Sequence, residues 1–135
     1  MAVLVLKDAS ITVNSVDLSD KSNSVTLNYE IDSVEVTAFG DAGHQFTGGL
    51  QNNSVDIEFY QDFAAASTEA TIFPLVGTQT TIVIKPTSSA VGADNPSYTI
   101  TGAFLAAHTP VAAAVGEMAM TSLSFTGGSL VKATS

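Results

Sequence analysis

The sequence predicts an all-β protein: an antiparallel β-sandwich or partly rolled barrel with one flanking helix, formed by a single domain over residues 1–135. Three observations predict this class. Several short segments alternate apolar and polar residues with a period of two. Turn residues separate these segments at a spacing typical of sandwiches and barrels. Only one segment carries helical spacing, and the length of 135 residues suits one hydrophobic core.

The first clearly alternating segment is Ser24–Ile31, whose larger apolar side chains fall on one face of an extended chain. The side chains predicted to face the core are Val25, Leu27, Tyr29 and Ile31. Because successive side chains of a strand point to opposite faces, the pattern predicts a half-buried strand.

Three later segments repeat the alternation and predict strands at Ser54–Tyr60, Thr80–Lys85 and Ser97–Phe104. In the first of them, the residues expected to face the core are Val55, Ile57 and Phe59, and those expected to face solvent are Asp56 and Glu58. Closer to the C-terminus, Met118 and Met120 alternate in one phase and Leu123 and Phe125 in the other. A strand with a β-bulge near Thr121 and Ser122 would reconcile the two phases.

One helix is predicted, at Asp62–Val76. Its apolar and small residues recur at helical spacing, namely Phe63, Ala66, Ala70 and Phe73. Asp62 is a favourable N-cap, and Gly77 follows the segment as a favourable C-terminal residue. Pro74 is expected to end or kink the helix early.

Loops are predicted at Asp94–Pro96, at Gly127–Gly128 and at Phe39–Asn53, which holds four glycines and shows no alternation. The last of these is fifteen residues long. That length is at the upper limit for an unstructured connection in a compact domain, which favours a functional loop that reaches a neighbouring molecule.

The charge balance argues against nucleic-acid recognition. Thirteen acidic residues face four lysines and no arginine, which gives a formal net charge of −9. Affinity for DNA or RNA comes mainly from Lys and Arg side chains that neutralise phosphates, and Arg also reads bases. The sequence therefore predicts no sequence-specific nucleic-acid binding.

The absence of cysteine excludes disulfides and thiolate metal sites, so extra stability must come from the core or from oligomerisation. Residues Met1–Leu6 are apolar but too few for an export signal. The longest apolar stretch, Ala103–Val115, is interrupted by His108–Pro110 and falls short of the roughly 20 residues of a membrane span. We expect neither export nor a membrane partner.

Residues that could carry catalysis or bind a metal are scarce. His44 and His108 are the two histidines, and neither belongs to an HxH, HxxxH or HxxE spacing. The sequence holds no GxSxG elbow, no GKS/T phosphate loop and no GxGxxG turn. The acidic residues close in sequence are interpreted as solvent-facing side chains, namely Asp17 with Asp20 and Asp56 with Glu58. We predict no enzymatic activity, no cofactor and no metal.

Unpaired strand edges are the remaining physical feature, because an edge that Lys or Pro does not blunt is a template for another strand. Lysines are nearly absent, and the Thr- and Ser-rich stretches Thr78–Thr81 and Ser122–Ser129 suit ordered pairing. Two interpretations stay open: self-assembly through such edges, and a monomeric sandwich whose own loops cover them.

Part of the sequence resembles the phage tail-tube fold, found in major tail proteins of long-tailed bacteriophages and in related injection-system tubes. The resemblance lies in the run Val34-Glu35-Val36-Thr37-Ala38-Phe39-Gly40-Asp41, then Thr47-Gly48-Gly49-Leu50, then Ser54-Val55-Asp56-Ile57-Glu58-Phe59. An early strand pair precedes this run, and a helix and closing strands follow it, as in that family. The fold implied is a sandwich of tail-tube type.

The resemblance implies a virion structural protein that is a tail-tube subunit, assembled in the host bacterial cytoplasm. Its partners would be copies of itself, in rings that are commonly hexameric in that family, and other virion proteins. The inner strands would join into a barrel around a channel through which DNA passes without specific binding. The residues hypothesised to contact a neighbouring subunit are Phe39, Gly40, Asp41, His44, Phe46, Gly48, Gly49 and Leu50.

Two departures from the family, the short chain and the lack of a long C-terminal arm, keep a second interpretation open: a phage capsid decoration protein that stabilises the head. A carbohydrate-binding sandwich is a third interpretation. It is disfavoured because such sites usually present aromatic platforms and this chain has no Trp.

Overall fold

A computed structural model describes residues 7–63, 68–111 and 113–134 of the chain. The strands of this described part are β1 Ser10–Val13, β2 Val16–Asp17, β3 Ser22–Asn28, β4 Ile31–Glu35, β5 Phe46–Gln51, β6 Ser54–Tyr60, β7 Gln79–Lys85, β8 Ser97–Leu105, β9 Met120–Thr126 and β10 Ser129–Ala133. Helix α1 covers Thr68–Ile72, and 3₁₀ helices cover Ser19–Lys21 and Phe73–Leu75.

The main sheet is antiparallel and follows the order β2-β1-β7-β8-β9-β6-β3, with β10 alongside β8. It turns a corner at Phe104–Leu105, where the end of β8 pairs with β9. Strands β3, β6 and β9 form one layer, and β2, β1, β7, β8 and β10 form the other. The predicted antiparallel sandwich is confirmed.

The core lies between the two layers, each of which contributes every second side chain. The three apolar side chains of β6 predicted to face inward are buried, and Asp56 between them is exposed. The opposite layer contributes Ile82 and Ile100, which are also buried. Each such side chain contributes about 1.5–3 kcal/mol when fully buried. The strands predicted at Thr80–Lys85 and Ser97–Phe104 are confirmed as β7 and β8.

The prediction of one continuous strand at Ser24–Ile31 is wrong beyond Asn28, and Ile31 belongs to β4. β3 ends at Asn28. Val25 packs against the core, whereas Tyr29 and Ile31 are exposed. The alternation continues in the sequence, but the chain has left the sandwich and no core lies beneath these side chains.

The bulge predicted near Thr121 and Ser122 is also wrong. β9 pairs with β6 in unbroken register, from Tyr60 opposite Met120 to Ser54 opposite Thr126. Thr121 is buried and lies in the same phase as Leu123 and Phe125. The apparent change of phase came from a threonine that occupies a core position.

A bend occurs later, at Gly127–Gly128, where both residues have positive φ angles of 81° and 86°. Before the bend, β9 lies against β6, and after it β10 lies against β8. Gly102 of β8 faces the bend with a φ of 84°. A Cβ atom on Gly128 would lie 2.6 Å from the carbonyl oxygen of Thr101. The loop predicted here is therefore a two-residue bend that only glycine can form without displacing β8.

The predicted helix is shorter than expected, and the residues whose spacing predicted it are not the ones that it buries. α1 is followed at once by the 3₁₀ helix that contains Pro74, so the early end is confirmed. The side chains that are buried are Thr68, Thr71, Ile72 and Leu75. Phe63, Ala70 and Phe73, whose spacing predicted the helix, are exposed. Ala66 and the first turn expected after Asp62 lie outside the described residues.

The stretches predicted as free edges are paired. β7 lies between β1 and β8, and β9 lies between β6 and β8. Within the described residues, the longer strands of the main sheet that pair on one side only are β3 and β10. Edges are present, but on other strands than the sequence indicated.

Candidate functional site

The prediction of a loop at Phe39–Asn53 is wrong in part, because β5 occupies residues 46–51. β4 and β5 form a separate two-stranded sheet. They continue from β3 and β6, so the hairpin that starts inside the sandwich extends out of it. Every residue from 31 to 51 is exposed. We call residues 31–51 the arm.

Gly48 and Gly49 weaken the sequence signal for this strand, because glycine is depleted in strands. Their role is steric. A Cβ atom on Gly49 would lie 3.0 Å from a methyl carbon of Val34, and one on Gly48 would lie 3.4 Å from a methyl carbon of Ile31. The two glycines therefore let the side chains of β4 lie across the backbone of β5.

The tip of the arm is a tight turn. Gly40 has a φ of 96°, which an L-residue with a side chain rarely adopts. The carboxylate of Asp41 accepts a hydrogen bond from the backbone N–H of Ala38 at 2.8 Å. Two of the residues hypothesised to contact a neighbour therefore also shape the turn.

A polar cluster lies below the turn. The carboxylate of Glu35 accepts a hydrogen bond from the hydroxyl of Thr37 at 2.9 Å and contacts Nδ1 of His44. The imidazole of His44 also lies beside the ring of Phe46, with 6.5 Å between ring centroids. These contacts tie both strands of the arm together near its tip.

The arm presents large apolar side chains to solvent. They are Ile31, Val34, Val36, Phe39, Phe46 and Leu50. Leu50 is 81% exposed and Phe46 is 61% exposed. Single exposed apolar residues are normal, but a group of them on one projecting element is typical of a surface that another molecule covers.

Asn53 fixes the base of the arm. It is 1% exposed, and its side-chain amide donates to the carbonyl of Gly128 at 3.1 Å and to Oε1 of Gln51 at 2.8 Å. Its backbone carbonyl accepts from the N–H of Gly127 at 2.9 Å. Gln51 Oε1 also accepts from the N–H of Leu130 at 3.0 Å. The arm is thus joined to the glycine bend and to β10.

The outer face of the layer formed by β3, β6 and β9 is polar. Two cross-strand rows define it: Ser24–Glu58–Ser122 and Thr26–Asp56–Ser124. Asp56 is exposed and Glu58 is half-buried, so the prediction that Asp56 faces solvent is confirmed. The hydroxyl groups make this face polar, and the carboxylates of Asp56 and Glu58 give it a negative charge. We call it the acidic face.

The second histidine lies far from the arm in the fold. The ring of His108 contacts the edge of Phe73 at a centroid distance of 6.5 Å. Both ring nitrogens are buried without a hydrogen-bond partner. Burial lowers the pKa of His108, and the nearby carboxylate of Glu69 partly offsets that effect. The two histidines are not brought together.

The remaining acidic candidates have local roles. The carboxylate of Asp17 accepts from the backbone N–H of Ser19 at 2.9 Å and from its hydroxyl, and these bonds lower the pKa of Asp17. Asp20 lies 4.0 Å from the ammonium of Lys21. Across residues 7–63, 68–111 and 113–134, no three potential metal-binding side chains cluster. None of the helices in those ranges is both long and apolar enough to cross a membrane.

Solved structures share this fold at low sequence identity. A chain from the sheath-tube complex of an extracellular contractile injection system, PVC, aligns with a TM-score of 0.71 and 12% identity over 98% of this chain and 93% of that chain. A chain from the sheath/tube terminator of such a system aligns with 0.69 and 14% over 96% of both chains. A chain from the virion of a native gene transfer agent aligns with 0.63 and 14% over 96% of this chain and 98% of that chain.

At the level of sequence, no family model and no curated protein matches the chain. The similarity is therefore one of fold, and it extends over nearly the whole length of both partners in each comparison. The tail-tube-type fold that the sequence resemblance implied is confirmed.

Proposed function

From this tail-tube-type fold, we propose that the chain is a non-enzymatic structural protein of a virion, a tail-tube subunit whose copies assemble into stacked rings around a channel for DNA. The observation that carries the proposal is the arm, which holds its apolar side chains in solvent. The arm does not contribute to the core of the sandwich, whereas a second copy can bury its apolar side chains. The solved structures that share the fold come from a sheath-tube complex, a sheath/tube terminator and a virion, which supports a role in such a particle.

In this proposal, the arm forms the contact between subunits of neighbouring rings. The residues that make the contact are Phe39, Phe46 and Leu50. The residues that shape the arm for it are Gly40, Asp41, His44, Gly48 and Gly49. The division follows their environments, because the first group is exposed and apolar and the second lies in the turn, the polar cluster or the close packing of the two strands.

The two free edges suit a ring. β3 and β10 are different strands on different parts of the sheet. Pairing one edge with the other edge of the next copy is a heterologous contact, and such contacts close into a ring when the rotation between copies allows it. Closure leaves neither of these two edges unpaired.

The acidic face is the proposed wall of the channel. Its cross-strand rows carry Asp56 and Glu58 among small hydroxyl side chains. A ring of copies repeats these charges around the opening and repels the phosphates of DNA, which lets DNA pass without binding. The proposal places the assembled protein in the virion, with other virion proteins as partners, after assembly in the host bacterial cytoplasm.

Negative-stain electron microscopy of the purified protein at increasing concentration tests the proposal. Stacked rings or tubes are the expected result. Monomers or trimers that bind only preformed phage heads would instead identify a decoration protein. A protein that stays monomeric and binds no particle would overturn both.

Two variants test the role of the arm. Changing both Phe39→Ser and Leu50→Ser removes apolar contact area from the arm, so we expect stacked rings to be lost while the circular dichroism spectrum stays unchanged. Val115→Ser is the matched control, because Val115 is fully exposed and lies outside the arm. If the double variant formed stacked rings at the same protein concentration as the wild type, the role of the arm would be refuted.

A further inference from the structure

β10 turns some of its backbone groups away from its only partner strand in the described residues, β8. In an antiparallel pair, the N–H and C=O groups of one residue point to the partner and those of the next residue point away. The N–H of Leu130 bonds Gln51 and not β8. By the alternation, Lys132 points its backbone groups the same way. Leu130 and Lys132 therefore form the outer edge of β10.

Part of this edge is already occupied. Oε1 of Gln51 accepts the N–H of Leu130 at 3.0 Å, and the same oxygen accepts from the side-chain amide of Asn53 at 2.8 Å. Gln51 is an exposed residue at the end of β5. An exposed side chain from the arm thus bonds the first outward N–H of β10.

A strand that adds to β10 needs the N–H of Leu130 as a donor, because strand addition works through backbone hydrogen bonds along the edge. Gln51 and an added strand therefore compete for one hydrogen atom. Asn53 does not compete, because it is buried and bonds Gly128, at the bend before β10.

We propose that Gln51 is a guard on the β10 edge: it caps Leu130 in the free subunit and gives way when a strand of a second copy pairs with β10. The occupant is a second copy because the edge offers main-chain groups that an extended strand satisfies, and β3 leaves such an edge unpaired in the same chain. This inference rests on the proposed assembly into rings. It adds that Gln51 is the residue that opposes pairing of the β10 edge before assembly.

The guard also connects the arm to the edge. Gln51 is the last residue of β5, and its side chain reaches across to β10. When a second copy displaces this side chain, the arm loses one of its ties to the sandwich, while Asn53 keeps the other. Pairing at the edge therefore frees the end of the arm nearest the sandwich.

The test compares two substitutions at Gln51. Gln51→Ala removes the acceptor. Gln51→Glu keeps a side chain of the same length whose oxygens can accept from both Leu130 and Asn53. Because one hydrogen bond must be broken in the wild type before pairing, we expect Gln51→Ala to lower the critical concentration for assembly about fivefold. Gln51→Glu should assemble at or above the wild-type concentration.

Hydrogen exchange at the amide of Leu130 gives an independent readout. In the monomer, this amide should exchange about fivefold faster in Gln51→Ala than in the wild type, because its partner is gone. In assembled material it should be protected in both proteins, because a neighbouring strand now bonds it.

The outcomes separate this inference from the proposed function. A critical concentration for Gln51→Ala equal to or above that of the wild type overturns the guard, as does rapid exchange at Leu130 in assembled material. A wild type that never assembles refutes the tube proposal. In that case, assembly by Gln51→Ala alone would still support the guard, and its failure to assemble would overturn the guard as well.

Discussion

Single residues decide the geometry of this sandwich at two places, the glycine bend and the base of the arm. Gly128 approaches β8 so closely that a Cβ atom would meet a backbone oxygen, whereas Gly127 beside it has open space around the same position. Both have positive φ angles. Both glycines thus need a positive φ angle, but only Gly128 lacks space for a Cβ atom.

Alanine at each glycine separates these two effects. Gly127→Ala should lower the free energy of unfolding by about 1–2 kcal/mol, the usual cost of a left-handed conformation for a residue with a side chain. Gly128→Ala should lower it by about 3 kcal/mol or more, because backbone displacement adds to that cost. Urea denaturation measures both. Equal losses would show that β8 yields to the added methyl group at no cost.

His108 makes the stability of the fold depend on pH. Burial lowers its pKa in the folded state, so the unfolded chain binds a proton at a higher pH than the folded protein does. Stability is therefore greatest above the unfolded pKa of about 6.5 and falls as the pH drops from there toward the folded pKa.

Urea denaturation at about pH 7.5 and about pH 5.5, on either side of the unfolded pKa, checks this prediction. His108→Gln removes the titrating group at similar size, and the loss of stability between the two pH values should be smaller in this variant than in the wild type. The same loss in both proteins would assign the pH dependence to other groups, such as the carboxylates.

At the scale of elements, the strands whose bounds the sequence predicted best, β6, β7 and β8, have a core beneath them, although β1, which buries Ile11 and Val13, was not predicted. The alternation at 54–60 places a branched or aromatic side chain inward at every second position, and β6 has these bounds. The arm could not be predicted this way. It has no core on either face, and its glycines are there to accommodate the side chains of the opposite strand.

The contact role of the candidate residues on the arm stays a prediction, but the structure changes the physical description of their segment. Length and glycine content indicated a loop, and the structure brings these residues onto one projecting hairpin. The hydrogen bonds of Gln51 and Asn53 had no sequence signal, because they join positions more than seventy residues apart. The burial of Thr68 in α1 also had no sequence signal, because its hydroxyl donates to the carbonyl of Tyr60, which lies outside the helix.

The hydrogen bonds of Asn53 hold the base of the arm to the glycine bend, so removing its side chain should loosen the arm. Asn53→Ala leaves the half-buried carbonyl of Gly128 without its side-chain partner, so we expect a loss of about 1–3 kcal/mol in the free energy of unfolding. Backbone amides of β4 and β5 should also exchange faster. Asn52→Ala is the control, since Asn52 is exposed and substitutions of that kind usually stay within about 0.5 kcal/mol. Unchanged exchange in β4 and β5 would show that other contacts hold the arm.

At the scale of the whole molecule, charge opposes assembly. Each copy carries a formal charge of −9, so copies repel one another at low ionic strength. Apolar burial on the arm and hydrogen bonding at the edges must exceed that repulsion. Counter-ions therefore control when assembly becomes favourable.

The critical concentration for assembly should fall as NaCl rises from about 50 mM to about 500 mM, because screening shortens the range of repulsion. Asp56→Asn should weaken this salt dependence, since the proposal brings Asp56 of all copies around one channel. Asp94→Asn is the matched control, because it removes an equal charge from an exposed loop. The same salt dependence in both variants would show that Asp56 does not lie near its counterparts.

Because the arm is exposed along its whole length and joined to the sandwich at both ends, a protease would find its bonds first in the free subunit. Cleavage near Phe39 would give two fragments that stay associated through the pairing of β3 with β6. Such a nicked subunit would keep its fold while its hairpin was severed, so digestion before and after polymerisation would report directly on whether neighbours shield it.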